Sequence, residues 1–227
     1  MMCELNRQVS ELIRTQLESF PFHNLGQLLD KEPINGGTCF DHAIKLRSEL
    51  TRMGLEARLH EAEVCMTGDM THRLVRVDFR NQVSFLDTGT GWPTVYQANV
   101  GEVGHQFIIA GIRFRIIGEL DKLLVQRHDG RQWRNMNRIS LAPQNEELIL
   151  AKLPNRYLQP LPYSNELRFC WLHNHKFHRI SGFNLSLYEP GGNCQEKNLT
   201  PTELFDYVYG FFPELTVDLK VYLESIN

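Results

Sequence analysis

From Leu5 to Phe20 the apolar residues recur every three or four positions. Leu5, Val9, Leu12, Ile13, Leu17 and Phe20 form one stripe, with Ser10 and Thr15 on other faces. That spacing predicts an amphipathic helix over residues 3–20. Phe20-Pro21-Phe22 ends it, because Pro21 restricts the residue before it and brings no N–H. Asn24 to Leu29 fits a short helix or turn. A second helical stripe follows at Phe40, Ala43, Ile44, Leu46, Leu50 and Met53, and Gly54 stops it. Its first turn holds Cys39, directly after Gly36-Gly37.

From Leu55 the period changes to two. Leu55 to Val64 alternates loosely and is expected to pair with His72 to Phe79. In the second strand Val75, Val77 and Phe79 line one face, and His72, Leu74, Arg76 and Asp78 the other. Arg80-Asn81 reads as a short turn into Val83 to Asp87, and Thr88-Gly89-Thr90-Gly91-Trp92-Pro93 breaks the pattern. Further strands are expected at 107–109, 112–117, 123–127 and 132–139, with Asp129-Gly130 as a hairpin signal. Pro143 to Leu153 has helical spacing, and Pro154, Pro160 and Pro162 mark an irregular connection. Leu167 to Leu172 and Phe177 to Leu187 predict two more strands. Thr200-Pro201-Thr202-Glu203 is a helix entry, with Thr200 as N-cap and Glu203 closing a capping box. Helices, then a run of strands, then a mixed tail read as an α+β chain.

Composition narrows the functions. A net charge of −3 gives no reason to expect nucleic acid or an anionic membrane as partner. No apolar run approaches a membrane span, and Met1 to Arg14 holds no apolar signal core. Five irregularly spaced cysteines do not suit a disulfide framework. The expected location is therefore the reducing cytoplasm, where a thiol remains a nucleophile.

One thiol has a suitable setting. The free N–H groups and positive dipole end at a helix start favour a thiolate at Cys39, and two glycines let the preceding loop approach closely. If Arg80-Asn81 is a two-residue loop, Phe79 pairs with Gln82 and Leu74 sits opposite Asp87. His72 is then the diagonal neighbour of Asp87, about 7–8 Å away at Cα and within side-chain reach. Cys39, His72 and Asp87 thus have the composition of an activated nucleophile, its base and the base's orienter. Each residue also has a plain reading: inert packing for Cys39, a surface strand histidine for His72, the start of a turn for Asp87. His42, His60, His105 and His128 have no partner legible in the sequence. Cys170, His173, His175 and His178 lie close together, and His173 and His175 would share a strand face as metal ligands can. No second spaced pair accompanies them, so no metal site is expected. Arg113, Arg115, Arg127, Arg131, Arg134 and Arg138 could serve a phosphate, but read more simply as solvated strand residues.

The order of these motifs resembles the arylamine N-acetyltransferases. The family marker Arg-Gly-Gly-x-Cys-x-Glu is matched by Asn35-Gly36-Gly37-Thr38-Cys39-Phe40-Asp41. Its His-x-x-Leu-x-Val strand resembles His72-Arg73-Leu74-Val75-Arg76-Val77, and its Asp-Val-Gly-Phe-Gly segment resembles Asp87-Thr88-Gly89-Thr90-Gly91 with Pro93 beyond. Its Pro-Phe-Glu-Asn-Leu looks like Pro21-Phe22-His23-Asn24-Leu25. Weaker likeness continues through Gly111-Ile112-Arg113-Phe114-Arg115 and Asn155-Arg156-Tyr157, with Ser164 beyond. Asn35 and Asp41 replace the marker's arginine and glutamate, so a structural ion pair is expected to be missing.

The resemblance implies a cysteine-protease-like α+β fold. Its parts would be an N-terminal helical bundle over 1–54, a central antiparallel β-barrel over 55–142 and a C-terminal α/β lid over 143–227. It implies that Cys39 accepts the acyl group, His72 is its base and Asp87 orients His72. The implied reaction is ping-pong transfer from acetyl-CoA or another acyl-CoA to a small-molecule amine, with no permanently bound cofactor. Relatives also act as amide synthases on carrier-bound chains, which would make an acyl carrier protein the partner. Two further alternatives stay open: a transglutaminase-like cysteine amidase or peptidase, and a binding module that has kept the fold without the chemistry.

Overall fold

The computed structural model describes residues 2–79, 82–94, 97–99, 104–157 and 165–226. Arg80-Asn81, Pro160, Pro162 and Ser164 lie outside the described residues. Helix α1 spans Met2–Ser19 and buries Val9, Ile13 and Leu17 from its stripe. After the two-residue strand β1 (Phe22–His23) and the short helix α2 (Leu25–Leu29), helix α3 (Cys39–Arg52) buries Phe40, Ala43, Leu46 and Leu50.

Eight strands then form one curled antiparallel sheet. They are β2 (Glu56–Val64), β3 (Asp69–Phe79), β4 (Gln82–Leu86), β5 (Gln97–Asn99), β6 (Gln106–Ile109), β7 (Ile112–Glu119), β8 (Lys122–His128) and β9 (Trp133–Ser140). Their order is β5-β4-β3-β2-β9-β8-β7-β6. Strand β3 is buried on both faces. Val75 and Val77 pack with α1 and α3, while Leu74 packs with Phe85, Ile116, Leu123 and Val125. The polar residues buried in this strand have partners: Arg73 pairs with Glu61 and Arg76 with Asp78.

A second sheet follows the short helix α4 (Glu146–Leu150). Its strands are β10 (Arg168–His173), β11 (Lys176–Ser181), β12 (Asn184–Tyr188) and β13 (Cys194–Asn198), with β1 as the other edge. Helices α5 (Pro201–Tyr209) and α6 (Thr216–Ser225) cover it, burying Leu204, Val208 and Leu219 against Phe169, Trp171 and Ile180. Thr200 and Glu203 form the expected capping box. No described helix is long and apolar enough to cross a membrane.

Several expectations are corrected. The stretch 177–187 is two strands, because Gly182-Phe183 turns the chain and pairs Ser181 with Asn184. Strand β13 is exposed and polar throughout, so it carries no apolar pattern. Helix α4 is shorter than 143–153, with a separate turn of 3₁₀-helix at Leu153–Asn155. His173 and His175 do not share a strand face. Asn174 and His175, at φ 49° and 62°, form the two-residue turn between β10 and β11, a left-handed pair suited to such hairpins. Among the described residues no His, Cys, Asp and Glu side chains gather into a group able to hold a metal.

Candidate active site

The site begins at the double glycine. Gly36 has φ 82° and Gly37 φ 134°, and a side chain at either would strike Pro21, His23 or Asp41. Free of side chains, the segment lies beside β1: the N–H of His23 donates to the Gly37 carbonyl at 2.9 Å, and that of Gly37 to Pro21 at 3.2 Å. This docks the start of α3 against the edge of the second sheet. Asp41 then closes the helix start, accepting from the Thr38 N–H at 2.9 Å.

Asp41 also corrects the expected loss of an ion pair. Its Oδ1 accepts from Arg156 Nε at 2.9 Å and from the Tyr157 hydroxyl at 3.0 Å. Asp41 thus has an arginine partner in Arg156, more than a hundred residues away in the chain. Asn35 instead donates to Glu214 at 2.7 Å.

The hairpin β3–β4 supplies the other two residues. Phe79 pairs with Gln82 and Val75 with Leu86, so the register is the one that sets His72 diagonal to Asp87. His72 Nε2 lies 2.6 Å from Asp87 Oδ2, and both side chains are buried. The other Asp87 oxygen accepts from the Gly89 N–H at 2.8 Å, so the carboxylate is held from both sides. Cys39 lies close enough to His72 to help raise its pKa, while Nε2 is engaged by Asp87. Burial alone would lower the pKa of His72; the charge and hydrogen bond of Asp87, then those of Cys39, outweigh it and raise it. The three expected residues are thus brought together.

Two further features escaped sequence reasoning. Gln16 is buried in α1, and its Nε2 donates to the His42 carbonyl and to Thr88 Oγ1, both at 2.9 Å. It ties α1, α3 and the residue after Asp87 together. Its one sequence signal is a polar residue inside the apolar stripe. The second feature is a cavity of about 600 Å³ beside His72, lined in part by Phe22, Cys65, Gly89, Trp92 and Cys170. Arg127 and Arg134 also line it; Arg127 is half-buried there, while Arg134 stays exposed, as a solvated strand arginine is.

Gly89 sits directly on Cys39. A Cβ there would lie 2.5 Å from Cys39 Cα and 2.9 Å from its Cβ. Gly89→Ala must therefore shift either the Asp87 loop or the first turn of α3. We expect a loss of about 1–3 kcal/mol in denaturant unfolding and a roughly 100-fold slower reaction of Cys39 with acyl donor. Gly191→Ala, where nothing lies within 4 Å, should change neither.

Comparison with known proteins gives the site its context. No curated protein matches the sequence. Among solved structures, the arylamine N-acetyltransferase of Nocardia farcinica is 22% identical, with a TM-score of 0.79 over 96% of this chain and 87% of its own. That of Mycobacterium marinum in complex with CoA is 17% identical, with a TM-score of 0.78 over 95% and 91%. That of Salmonella typhimurium is 19% identical, with a TM-score of 0.74 over 95% and 91%. At such identities the likeness establishes the cysteine-protease-like fold. The N-acetyltransferase family model, however, matches residues 7–220, nearly the whole sequence, and on that match the chain belongs to the arylamine N-acetyltransferase family of enzymes.

Proposed function

We propose that the protein transfers an acyl group, acetyl in the first instance, from acyl-CoA to an amine through an acyl-cysteine on Cys39. The observation that carries this reading is the continuous contact from Cys39 through His72 to Asp87, 2.6 Å at its second link, beside a cavity large enough for a substrate. Family membership and the CoA complex of the M. marinum relative support acetyl-CoA as the co-substrate.

The steps follow from the geometry. Cys39 sulfur attacks the acyl carbon while its proton passes to His72 Nδ1. The carbon–sulfur bond to CoA breaks, and His72 returns the proton to the departing thiolate. An amine then attacks the Cys39 thioester, His72 takes the amine proton, and the thioester bond breaks to regenerate the thiol. Asp87 keeps Nε2 protonated and stabilises the imidazolium. A thiolate suits both halves, being a good nucleophile and a good leaving group.

We assign the nucleophile to the helical segment 1–54, the base and orienter to the sheet 55–142, and part of the cavity wall (Arg168, Cys170 and Arg179) to segment 143–227. Four free thiols at Cys39, Cys65, Cys170 and Cys194 support a reducing cytoplasmic setting.

Intact-protein mass spectrometry after incubation with acetyl-CoA and longer acyl-CoAs tests the reading. The expected result is one acyl mass per chain, mapped to the Cys39 peptide and removed on adding an amine, with amide as the product. No gain from any CoA ester would reject acyl-CoA as donor. Release of free acid in place of amide would favour a hydrolytic cysteine enzyme.

A further inference from the structure

His23 is buried, and both of its ring nitrogens are engaged. Nε2 lies 2.6 Å from the Asn35 carbonyl, which can only accept, so Nε2 carries the proton. Nδ1 lies 3.3 Å from the N–H of Leu25 at the start of α2, which can only donate, so Nδ1 carries the lone pair. The two partners together select one neutral tautomer. The ring stacks on Phe169 with centroids 5.2 Å apart. It also packs against the loop into α3: a Cβ on Gly36 would come within 2.9 Å of ring atoms Cδ2 and Nε2.

That loop sets where Cys39 stands. Asn35 precedes Cys39 by four residues, and the two glycines after it bring no side chains with which to fix themselves. A proton on Nδ1 of His23 would set two N–H groups face to face and orphan the buried Leu25 donor. The charges around the ring do not offset this. Asp41 on α3 and Asp218 on α6 attract a cation at His23, but each is already paired, with Arg156 and Lys31. His42 on α3 is buried, its pKa lowered to about 4, and stays neutral. Glu214 faces the Asn35 side chain, whose N–H it accepts at 2.7 Å. Burial lowers the pKa of His23, and the Asn35 carbonyl and the two aspartates restore only part of the loss. His72, in direct contact with a carboxylate, is the opposite case.

We propose that His23 is a positioning residue for Cys39: its neutral ring holds the 35–37 loop where the thiol meets His72, and its protonation releases that loop. This rests on Cys39 being the reacting thiol, as in the reading above. His23 and Asn35 are the two departures from the family pattern that precede Cys39, and they touch one another. Their contact is neutral and depends on a single tautomer, so acid can undo it. The reaction then gains an acid limit from a residue that acts on the thiol only through the loop.

The test follows alkylation of Cys39 by iodoacetamide, mapped by peptide mass spectrometry, in the wild type, H23Q and H23F. Glutamine offers an amide N–H near the place of Nε2 and does not titrate. Phenylalanine keeps a ring to stack on Phe169 and loses both hydrogen bonds. At about pH 8, H23Q should react within about threefold of the wild type and H23F roughly 10–100-fold more slowly. Below about pH 6.5 every form slows as the thiolate is protonated. The wild-type rate should then fall about 100-fold per pH unit, two protons being taken up, against about tenfold in H23Q. Equal slopes in the wild type and H23Q, or an H23F chain that reacts as fast as the wild type, would overturn the proposal. Nitrogen-15 NMR of the wild type at about pH 7.5 reads the ring directly, whatever the variants do to the fold. A neutral ring with its proton on Nε2 is expected, and an Nδ1–H or doubly protonated ring at His23 would overturn the proposal as well. Neither measurement uses an acyl donor. A protein that no CoA ester acylates, yet shows this tautomer and these slopes, would reject the donor and keep His23 in its role.

Discussion

Cys39→Ala is expected to abolish acyl-enzyme formation and reduce amide synthesis to the uncatalysed background. Alanine keeps a helix start compatible with α3, and among the described residues the lost sulfur makes a long hydrogen bond of 3.6 Å to the Thr71 carbonyl and interacts with His72. The fold should therefore survive, with a stability change of about 1 kcal/mol. Mass spectrometry with acetyl-CoA and a denaturant melt of the same sample separate the two effects. A variant that still gains an acyl mass would place the nucleophile elsewhere. Cys65 and Cys170 line the same cavity and are the residues to examine then. Neither has the setting of Cys39. Burial raises the pKa of Cys65 and pushes that of Cys170 up to about 12, so both stay protonated thiols near neutral pH.

The candidate site was legible in the sequence to the extent that it is local. Cys39 follows two glycines and opens a helix, and His72 and Asp87 face one another because Phe79 pairs with Gln82 and so sets the register of their hairpin. Both relations depend on neighbours within a few residues, where period and turn length decide the outcome. The missing parts are contacts between distant segments. Arg156 reaches Asp41 across the fold, and no spacing rule links them. Gln16 meets Thr88 only after α1 has packed beside the Asp87 loop.

The cavity arginines show the same limit. Arg127 lies on the first sheet and Arg179 on the second, and both meet the Trp92 ring. In sequence each is one of many strand arginines, for which solvation is the simpler reading. The second sheet was also the least legible part of the fold. Its edges are the two-residue β1 and the wholly exposed β13, neither of which displays an apolar alternation. Strand β1 comes from the N-terminal segment and pairs with β10 through Phe22 and Cys170, a long-range pairing set by burial rather than by pattern.

Asp87→Asn should lower acyl transfer by roughly 10³–10⁴-fold without unfolding the protein. Asparagine keeps an oxygen for the Gly89 N–H, which Asp87 now binds at 2.8 Å. Toward His72 it presents an amide N–H in place of a carboxylate. The imidazole then turns its unprotonated nitrogen to that amide and its N–H to Cys39, where it cannot take the thiol proton. The pH dependence separates this from simple distortion. In the wild type Asp87 raises the pKa of His72 above 6.5 against the effect of burial. A group whose folded pKa is raised adds stability that is fully present below its unfolded pKa and is lost as pH rises through the folded value. The wild type should therefore exceed the variant in melting temperature most at pH below about 6.5, and the gap should close on the alkaline side. A gap that instead widens with pH would mean that His72 is not held as an imidazolium by Asp87. An asparagine variant with near-normal turnover would remove Asp87 from the mechanism and leave Cys39 and His72 to act as a pair.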